Sequence, residues 1–363
     1  MRILYVAPAA SLHTRKFCDY FAGRGHEVHV VSFTPGKIDS AEVRVTDTGA
    51  SGRSSDFQKL KYLKSLRFVK QSVNELKPDI VHAHYVTSYG GVMALSGIKN
   101  YILSIWGSDV YDFPKKGFLH RKWVEFALRK PGTLMSTSRA MADATAKYTS
   151  REILITPFGV DMNLFSPDKS KRLYNDGQFI IGCVKTLAEK YGIEYLIRAA
   201  GIVKDRRPDI NLKVRIAGRG PLEGQLKALT EQLKLNDVIS FLGLISQDSA
   251  AQEYAQADIS VIPSESESFG VSAVEAQSCG SAVIVSDIPG LMESTSPGFS
   301  SIVVPRKNPE AIAQTIIKLY DDEALRHQLG RNGREFVREH YEINSCFKYI
   351  EDVYCEICSR KDV

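Results

Sequence analysis

With 363 residues, 44% apolar and 25% charged, the chain is too long for one hydrophobic core and too evenly mixed for a disordered or fibrous protein, so two domains are expected. The net charge of +5 is modest, yet residues 1–170 carry 24 Lys and Arg against 15 Asp and Glu, while residues 171–363 carry 23 against 27. No apolar run approaches the roughly 20 residues of a membrane-spanning helix, and Met1 leads directly into a strand-like run, which together predict a cytoplasmic protein.

Short β-branched apolar runs alternate with helical patterns, the signature of parallel sheet built from βαβ units. The first half is predicted to hold strands at residues 3–7, 27–33, 80–84, 101–105, 134–138 and 153–156. The second half repeats the scheme at 179–184, 212–217, 238–242, 259–262, 282–285 and 301–304. Between them lies a polar, Pro- and Ser-containing stretch at 165–171, read as a linker. The expected organisation is α/β: one Rossmann-like, doubly wound domain over 1–168, a second over 169–340, and a terminal helical stretch, 341–363, reaching back to the first. Ligands of such sheets bind beyond the carboxyl ends of the strands, so two facing domains would enclose a ligand in a central cleft.

Six scattered cysteines are too few for a disulfide scaffold. Cys355 and Cys358 form one C-x-x-C without a second pair or a nearby His, which reads as two thiols on a terminal helix rather than a metal or redox site; no metal is expected. Lys59, Lys61, Lys64, Arg67 and Lys70 interleave with Leu60, Leu63, Phe68 and Val69 as on an amphipathic helix. That face is either solvated or a contact for an anionic membrane. No nucleic-acid recognition motif accompanies it, so nucleic acid is not an expected partner.

The fingerprint G-x-G-x-x-G is missing after the first strand, which continues as Pro8-Ala9-Ala10-Ser11-Leu12-His13, so a nicotinamide enzyme is not expected. The strongest signal follows strand 259–262: Pro263-Ser264-Glu265-Ser266-Glu267-Ser268-Phe269-Gly270-Val271-Ser272-Ala273-Val274-Glu275-Ala276. A helix opening at Gly270 would aim free N–H groups and its positive dipole end at an anion, naturally a phosphate. Glu267 precedes that helix and Glu275 sits inside it, so one carboxylate suits the hydroxyls of a ribose and the other those of a second sugar.

The string from Glu267 to Glu275, followed by Cys279-Gly280-Ser281-Ala282-Val283-Ile284-Val285-Ser286, resembles the signature of the family 4 retaining glycosyltransferases, also called glycosyltransferase group 1. The resemblance extends over nearly the whole chain. Gly25-His26-Glu27-Val28, Pro78-Asp79-Ile80-Val81-His82-Ala83-His84, Gly159-Val160-Asp161 with Phe165 and Pro167, and Ile216-Ala217-Gly218-Arg219-Gly220-Pro221 each match a family segment. Lys190 stands at the family's lysine, and Lys185 replaces its usual arginine. Where the family commonly places a histidine, this chain has Trp106, within Trp106-Gly107-Ser108-Asp109, and Phe158 stands where an Asn is common.

The resemblance implies the GT-B architecture and transfer of a sugar, with retention, from a nucleotide diphosphate sugar to an acceptor hydroxyl, with UDP the default nucleotide. It implies Lys185, Lys190 and Glu267 as catalytic, and Phe269, Gly270, Val271, Glu275, Gly218 and Arg219 as donor-binding; Asp109 is a further catalytic candidate, placed either to orient an acceptor hydroxyl or to cap the helix that follows it. Ser11, His13, His84 and Trp106 are the acceptor-side candidates, with Trp106 either a sugar platform or a packing residue and His84 either a site residue or a core histidine. The expected partners are the donor and a sugar or lipid-linked glycan acceptor, in surface polysaccharide or glycolipid synthesis; no cofactor is implied. With no D-x-D motif, lysines and a helix terminus would neutralise the diphosphate in place of a metal. A sugar-nucleotide epimerase and a non-catalytic nucleotide-sugar-binding protein share the same two-domain form.

Overall fold

The computed structural model describes residues 1–49, 60–169 and 177–360. The chain divides into two compact units, Met1–Phe158 with Asn344–Val363, and Gly159–Ile343.

The first unit holds a seven-stranded sheet in the order β3-β2-β1-β4-β5-β6-β7. Its strands are β1 (Arg2–Val6), β2 (Glu27–Ser32), β3 (Glu42–Val45), β4 (Ile80–His84), β5 (Ile102–Ile105), β6 (Thr133–Ser136) and β7 (Leu154–Ile155), all paired in parallel. Ile3, Leu4, Tyr5 and Val6 are completely buried, as a parallel strand covered on both faces requires. β3 is absent from the sequence reading. It is a short edge strand in which Val43 and Arg44 are only half-buried, so Glu42-Val43-Arg44-Val45 lacks the apolar run that marks its neighbours.

The C-terminal helix, Ile343–Ser359, belongs to this unit from Asn344 onward. Tyr354 stacks on Phe21 and its hydroxyl lies 2.5 Å from His82 Nδ1, while Glu351 bonds His26 at 2.9 Å and Arg24 at 3.1 Å. His26 of the Gly25-His26-Glu27-Val28 segment is therefore an anchor for the last helix. Cys355 and Cys358 lie on that helix and neither is in a disulfide.

The second unit holds a six-stranded parallel sheet in the order β10-β9-β8-β11-β12-β13. The strands are β8 (Phe179–Val184), β9 (Leu212–Ala217), β10 (Ile239–Gly243), β11 (Ile259–Ile262), β12 (Ala282–Ser286) and β13 (Ser301–Val304). Both units are thus Rossmann-like, with strand order reversing between β1 and β4 in one and between β8 and β11 in the other.

The division falls at Phe158 rather than at residue 168. Val160 and Phe165 are already buried in the second unit's core with Tyr254 and Val274, and Ser278 Oγ donates to the Phe165 carbonyl at 2.6 Å. The polar stretch read as the linker begins inside the second unit, and residues 170–176 lie outside the described ones. The return falls at Asn344 rather than 341, because Tyr341 packs on Phe269 and Val160 accepts from and donates to the backbone at 341–343.

The basic segment before β4 is a 3-10 turn, Leu60–Ser65, followed by the helix Leu66–Leu76. Val69 and Leu76 are buried, and Leu66, Phe68 and Val73 pack on the core, so the apolar face points inward. Lys61, Lys64, Arg67 and Lys70 are exposed, while Lys59 lies outside the described residues. Among the described residues no helix is long and apolar enough to cross a membrane.

Candidate active site

In the second unit, the loops following β8, β9 and β11 converge at the point where strand order reverses. Lys185 directly follows β8; its N–H donates to the Ala217 carbonyl at 2.9 Å, and Leu187 N–H donates to Arg219 at 3.1 Å. Gly218 has φ +137° and lies so close to the Lys185 carbonyl that a Cβ would enter it. Gly218 and the backbone of Arg219 therefore stitch the β8 and β9 loops together, whereas the Arg219 side chain is exposed.

The loop after β11 is tied to the β8 loop from the other side. The Lys190 carbonyl accepts the N–H groups of Glu265 at 2.8 Å and Ser266 at 3.3 Å. These bonds bring Glu267 against Lys185: the carboxylate and ammonium form an ion pair in which each side chain is 11% exposed. Ser264 Oγ donates to the same Glu267 oxygen at 3.1 Å. The ring of Tyr191 lies 5.0 Å from Lys185 Nζ and 5.0 Å from Lys190 Nζ, so one aromatic ring contacts both cations. Burial works to lower the Lys185 pKa, but the adjacent Glu267 carboxylate reverses this and holds it above the ordinary lysine range. Lys185 is thus charged throughout the physiological range.

Gly270, with φ +94°, starts the helix Val271–Ser278; a Cβ there would stand 2.6 Å from Ser294 Oγ, so only glycine fits. The first N–H groups of a helix lack an intrahelical acceptor, and such an end favours an anion. Glu275 is half-buried within the helix. Phe269 does not present its side chain to this loop cluster: it is 2% exposed and packs edge-on against Tyr341 at 5.0 Å. Only its backbone, like that of Val271, is available to a ligand there. Sequence reasoning gave no role to Ser264 or Tyr191: their contacts, to Glu267 three residues on and to Lys185 and Lys190 of the same loop, follow from loop conformation, which no periodicity marks.

In the first unit, the loops after β1, β4 and β5 hold an aromatic cluster. The His13 ring stacks on Phe158 at 3.9 Å and meets the edge of Trp106 at 5.7 Å. Ser11 precedes the helix Leu12–Gly23 in extended conformation, is half-buried and starts that helix. His84 and Trp106, expected on the acceptor side, are instead buried at 0% and 8% exposure, with their rings 4.0 Å apart. Phe17, Tyr85 and Phe158 complete the packing around Trp106. Ser11 and His13 are only half-buried and are the less covered residues of this group, and Trp106 is a packing residue. Phe158, in place of the common Asn, supplies the ring on which His13 rests.

Asp109, expected to be catalytic, is 4% exposed; one oxygen accepts Val86 N–H at 2.9 Å and the other the Thr87 hydroxyl at 2.8 Å. It braces the turn after β4, where Tyr85 has φ +69° and Trp123 Nε1 donates to Thr87 O at 3.0 Å. Asp109→Ala is expected to cost about 2–3 kcal/mol, because it strands buried donors, while Asp109→Asn keeps one acceptor and most of the stability. Calorimetry distinguishes the roles: an alanine variant that melts like wild type yet has no activity contradicts the bracing assignment.

Burial lowers the pKa of His13 to about 3, with Lys16 adding to the effect, and burial alone lowers His82 to about 3. Burial and its histidine neighbours hold His84 well below the ordinary range. These folded values lie below the unfolded one near pH 6.5, so the unfolded chain binds more protons between those limits. Their stabilising contribution is complete above about pH 6.5 and falls by about 1.4 kcal/mol per pH unit for each histidine as pH drops toward 3. His13→Phe, which suits the aromatic surroundings, should flatten the acid loss of stability by one such increment. Identical pH slopes in thermal unfolding for the variant and wild type would refute the assignment.

Among the described residues no group of three or more His, Cys, Asp or Glu is placed to hold a metal ion.

The fold and these loops define a glycosyltransferase of the GT-B class. Residues 165–336 match the family model "Glycosyl transferases group 1" and residues 2–138 match "Glycosyl transferase 4-like". The chain belongs to the group 1 glycosyltransferases, with a family 4-like first unit. It is 27% identical over 285 residues to an uncharacterized glycosyltransferase of Methanocaldococcus jannaschii, covering 77% of this chain and 76% of that one. It spans about half the length, 52% and 51%, of other curated relatives that it matches. Its fold is similar to sucrose-phosphate synthase from Thermosynechococcus elongatus (TM-score 0.86, 19% identity, 99% of this chain and 100% of that one). It is also similar to the Anabaena protein HepE solved in complex with UDP (TM-score 0.82, 18% identity, 98% and 100%).

Proposed function

We propose that the protein transfers a sugar, with retention of anomeric configuration, from a UDP-sugar to a hydroxyl of a lipid-linked glycan in surface polysaccharide or glycolipid synthesis. The observation that carries this reading is the mostly buried Lys185–Glu267 pair beside Lys190 and the helix start at Gly270. A diphosphate entering there meets two ammonium groups and a helix N-terminus, which together offset its charge without a metal. Lys185 then exchanges Glu267 for phosphate oxygens, and Glu267 is released to accept bonds from donor-sugar hydroxyls. Glu275, deeper in the helix, holds the nucleotide ribose. As the bond from the anomeric carbon to the diphosphate oxygen breaks, the acceptor oxygen bonds that carbon from the same face and gives its proton to a departing phosphate oxygen. The acceptor enters over the first unit near Ser11 and His13.

UDP as the nucleotide is supported by the UDP complex of the structurally similar Anabaena protein. The net charge of +9 in residues 1–170 favours an acceptor presented at the anionic, cytoplasmic face of a membrane. A thermal-shift panel of nucleotides and nucleotide sugars tests the donor, since a ligand that binds only the folded state raises the melting temperature by mass action. UDP and one UDP-sugar should stabilise the protein with or without chelator. Stabilisation by GDP alone, or only with added divalent metal, would contradict this reading.

A further inference from the structure

The segment that leaves β5 through Trp106 and Asp109 ends in a surface feature that the transfer reaction does not use. After the turn Phe113–Lys116, Phe118 and Leu119 open the helix Phe118–Arg129 with exposures of 71% and 78%. The inner face of that helix is satisfied: Val124, Ala127 and Leu128 are buried in the core. Of the other described large apolar side chains only Leu244 is comparably exposed, at 77%, and it stands alone in sequence. Single exposed apolar residues are ordinary, but an adjacent pair at the tip of a helix is not explained by folding.

Its surroundings are cationic. Lys115, Lys116, Arg121 and Lys122 are all exposed, and Lys122 Nζ lies 5.5 Å from the Phe118 ring. The nearby acids are Asp112 and Glu125, the second engaged by Arg121 at 3.0 Å and Lys122 at 2.8 Å. Two apolar tips flanked in the chain by Lys115, Lys116, Arg121 and Lys122 complement an anionic bilayer: the tips enter the acyl boundary while the cations meet lipid phosphates. The feature also follows a carboxyl strand end, the side of the first sheet that carries Ser11 and His13.

We infer that Phe118 and Leu119, with Lys115 and Lys116, dock the first unit reversibly on an anionic membrane, placing its acceptor loops at the lipid surface. This relocates the contact from the Leu66–Leu76 helix, whose apolar side is consumed by the core. The choice of lipid over a protein partner rests on this charge complementarity; its link to the acceptor rests on the proposed function.

The test is sedimentation of the full chain with vesicles of phosphatidylcholine alone, or mixed with phosphatidylglycerol. Binding is expected only to the mixture and should weaken with salt. Phe118→Ser with Leu119→Ser should reduce partitioning at least about tenfold, by removing buried apolar area, and Lys115→Gln with Lys116→Gln should reduce it about fivefold per lysine. Changing Lys61, Lys64, Arg67 and Lys70 to Gln should have a clearly smaller effect. A Leu119→Trp variant should be quenched by brominated lipid. The inference is overturned if the wild type stays in the supernatant with anionic vesicles at low salt, or if the Ser variant binds unchanged. It is equally overturned if that variant abolishes a self-association seen by gel filtration while vesicle binding persists. Nucleotide release with a soluble acceptor is measured in parallel, so that loss of docking alone leaves the transferase reading standing.

Discussion

Lys190→Ala is expected to lower kcat by about two to three orders of magnitude, since one fewer charge-assisted contact to a leaving diphosphate removes several kcal/mol of transition-state stabilisation. Its melting temperature should hardly change, because the side chain is exposed and its contact is the Tyr191 ring. Lys185→Met is the informative contrast. It removes the partner of a mostly buried carboxylate, so both stability and activity should fall. Steady-state kinetics beside calorimetry checks the pair of outcomes. A Lys190→Ala enzyme within about twofold of wild type would remove that lysine from the mechanism.

Glu275→Gln and Glu267→Gln should separate binding from chemistry. Glu275 is assigned to the ribose, so its amide variant should weaken UDP affinity about tenfold or more, through the loss of a carboxylate acceptor. Glu267 is paired with Lys185. Replacing its charge frees that ammonium, so Glu267→Gln should bind bare UDP at least as tightly as wild type while kcat falls about a hundredfold. Calorimetric titration with UDP decides: equal losses of affinity in both variants would contradict the division of roles.

The sheets were legible because parallel strands buried on both faces become short apolar runs, as in Ile3–Val6 and Ala282–Val285. The helix start at Gly270 and the positions of both glutamates were legible for a local reason, since loop, glycine and helix are contiguous in sequence. The Lys185–Glu267 contact was not, because it is made only when β8 and β11 become neighbours. Burial was the other gap. His84 and Trp106 carry polar or ring chemistry at strand ends, yet the packing of Phe17 and Phe158 takes them out of reach. Asp109 looked available because its partners, Val86 and Thr87, come from the loop after a different strand. The apolar face of Leu66–Leu76 illustrates the same limit, since periodicity marks an amphipathic helix without saying which surface it covers.

The most direct test of the account is release of nucleotide diphosphate from a UDP-sugar, measured with and without a lipid-linked glycan acceptor. UDP should appear at a steady rate only when acceptor is present, with one glycosidic bond of unchanged anomeric configuration formed per UDP. Isomerised UDP-sugar without acceptor, or no turnover with any acceptor despite tight donor binding, would contradict it.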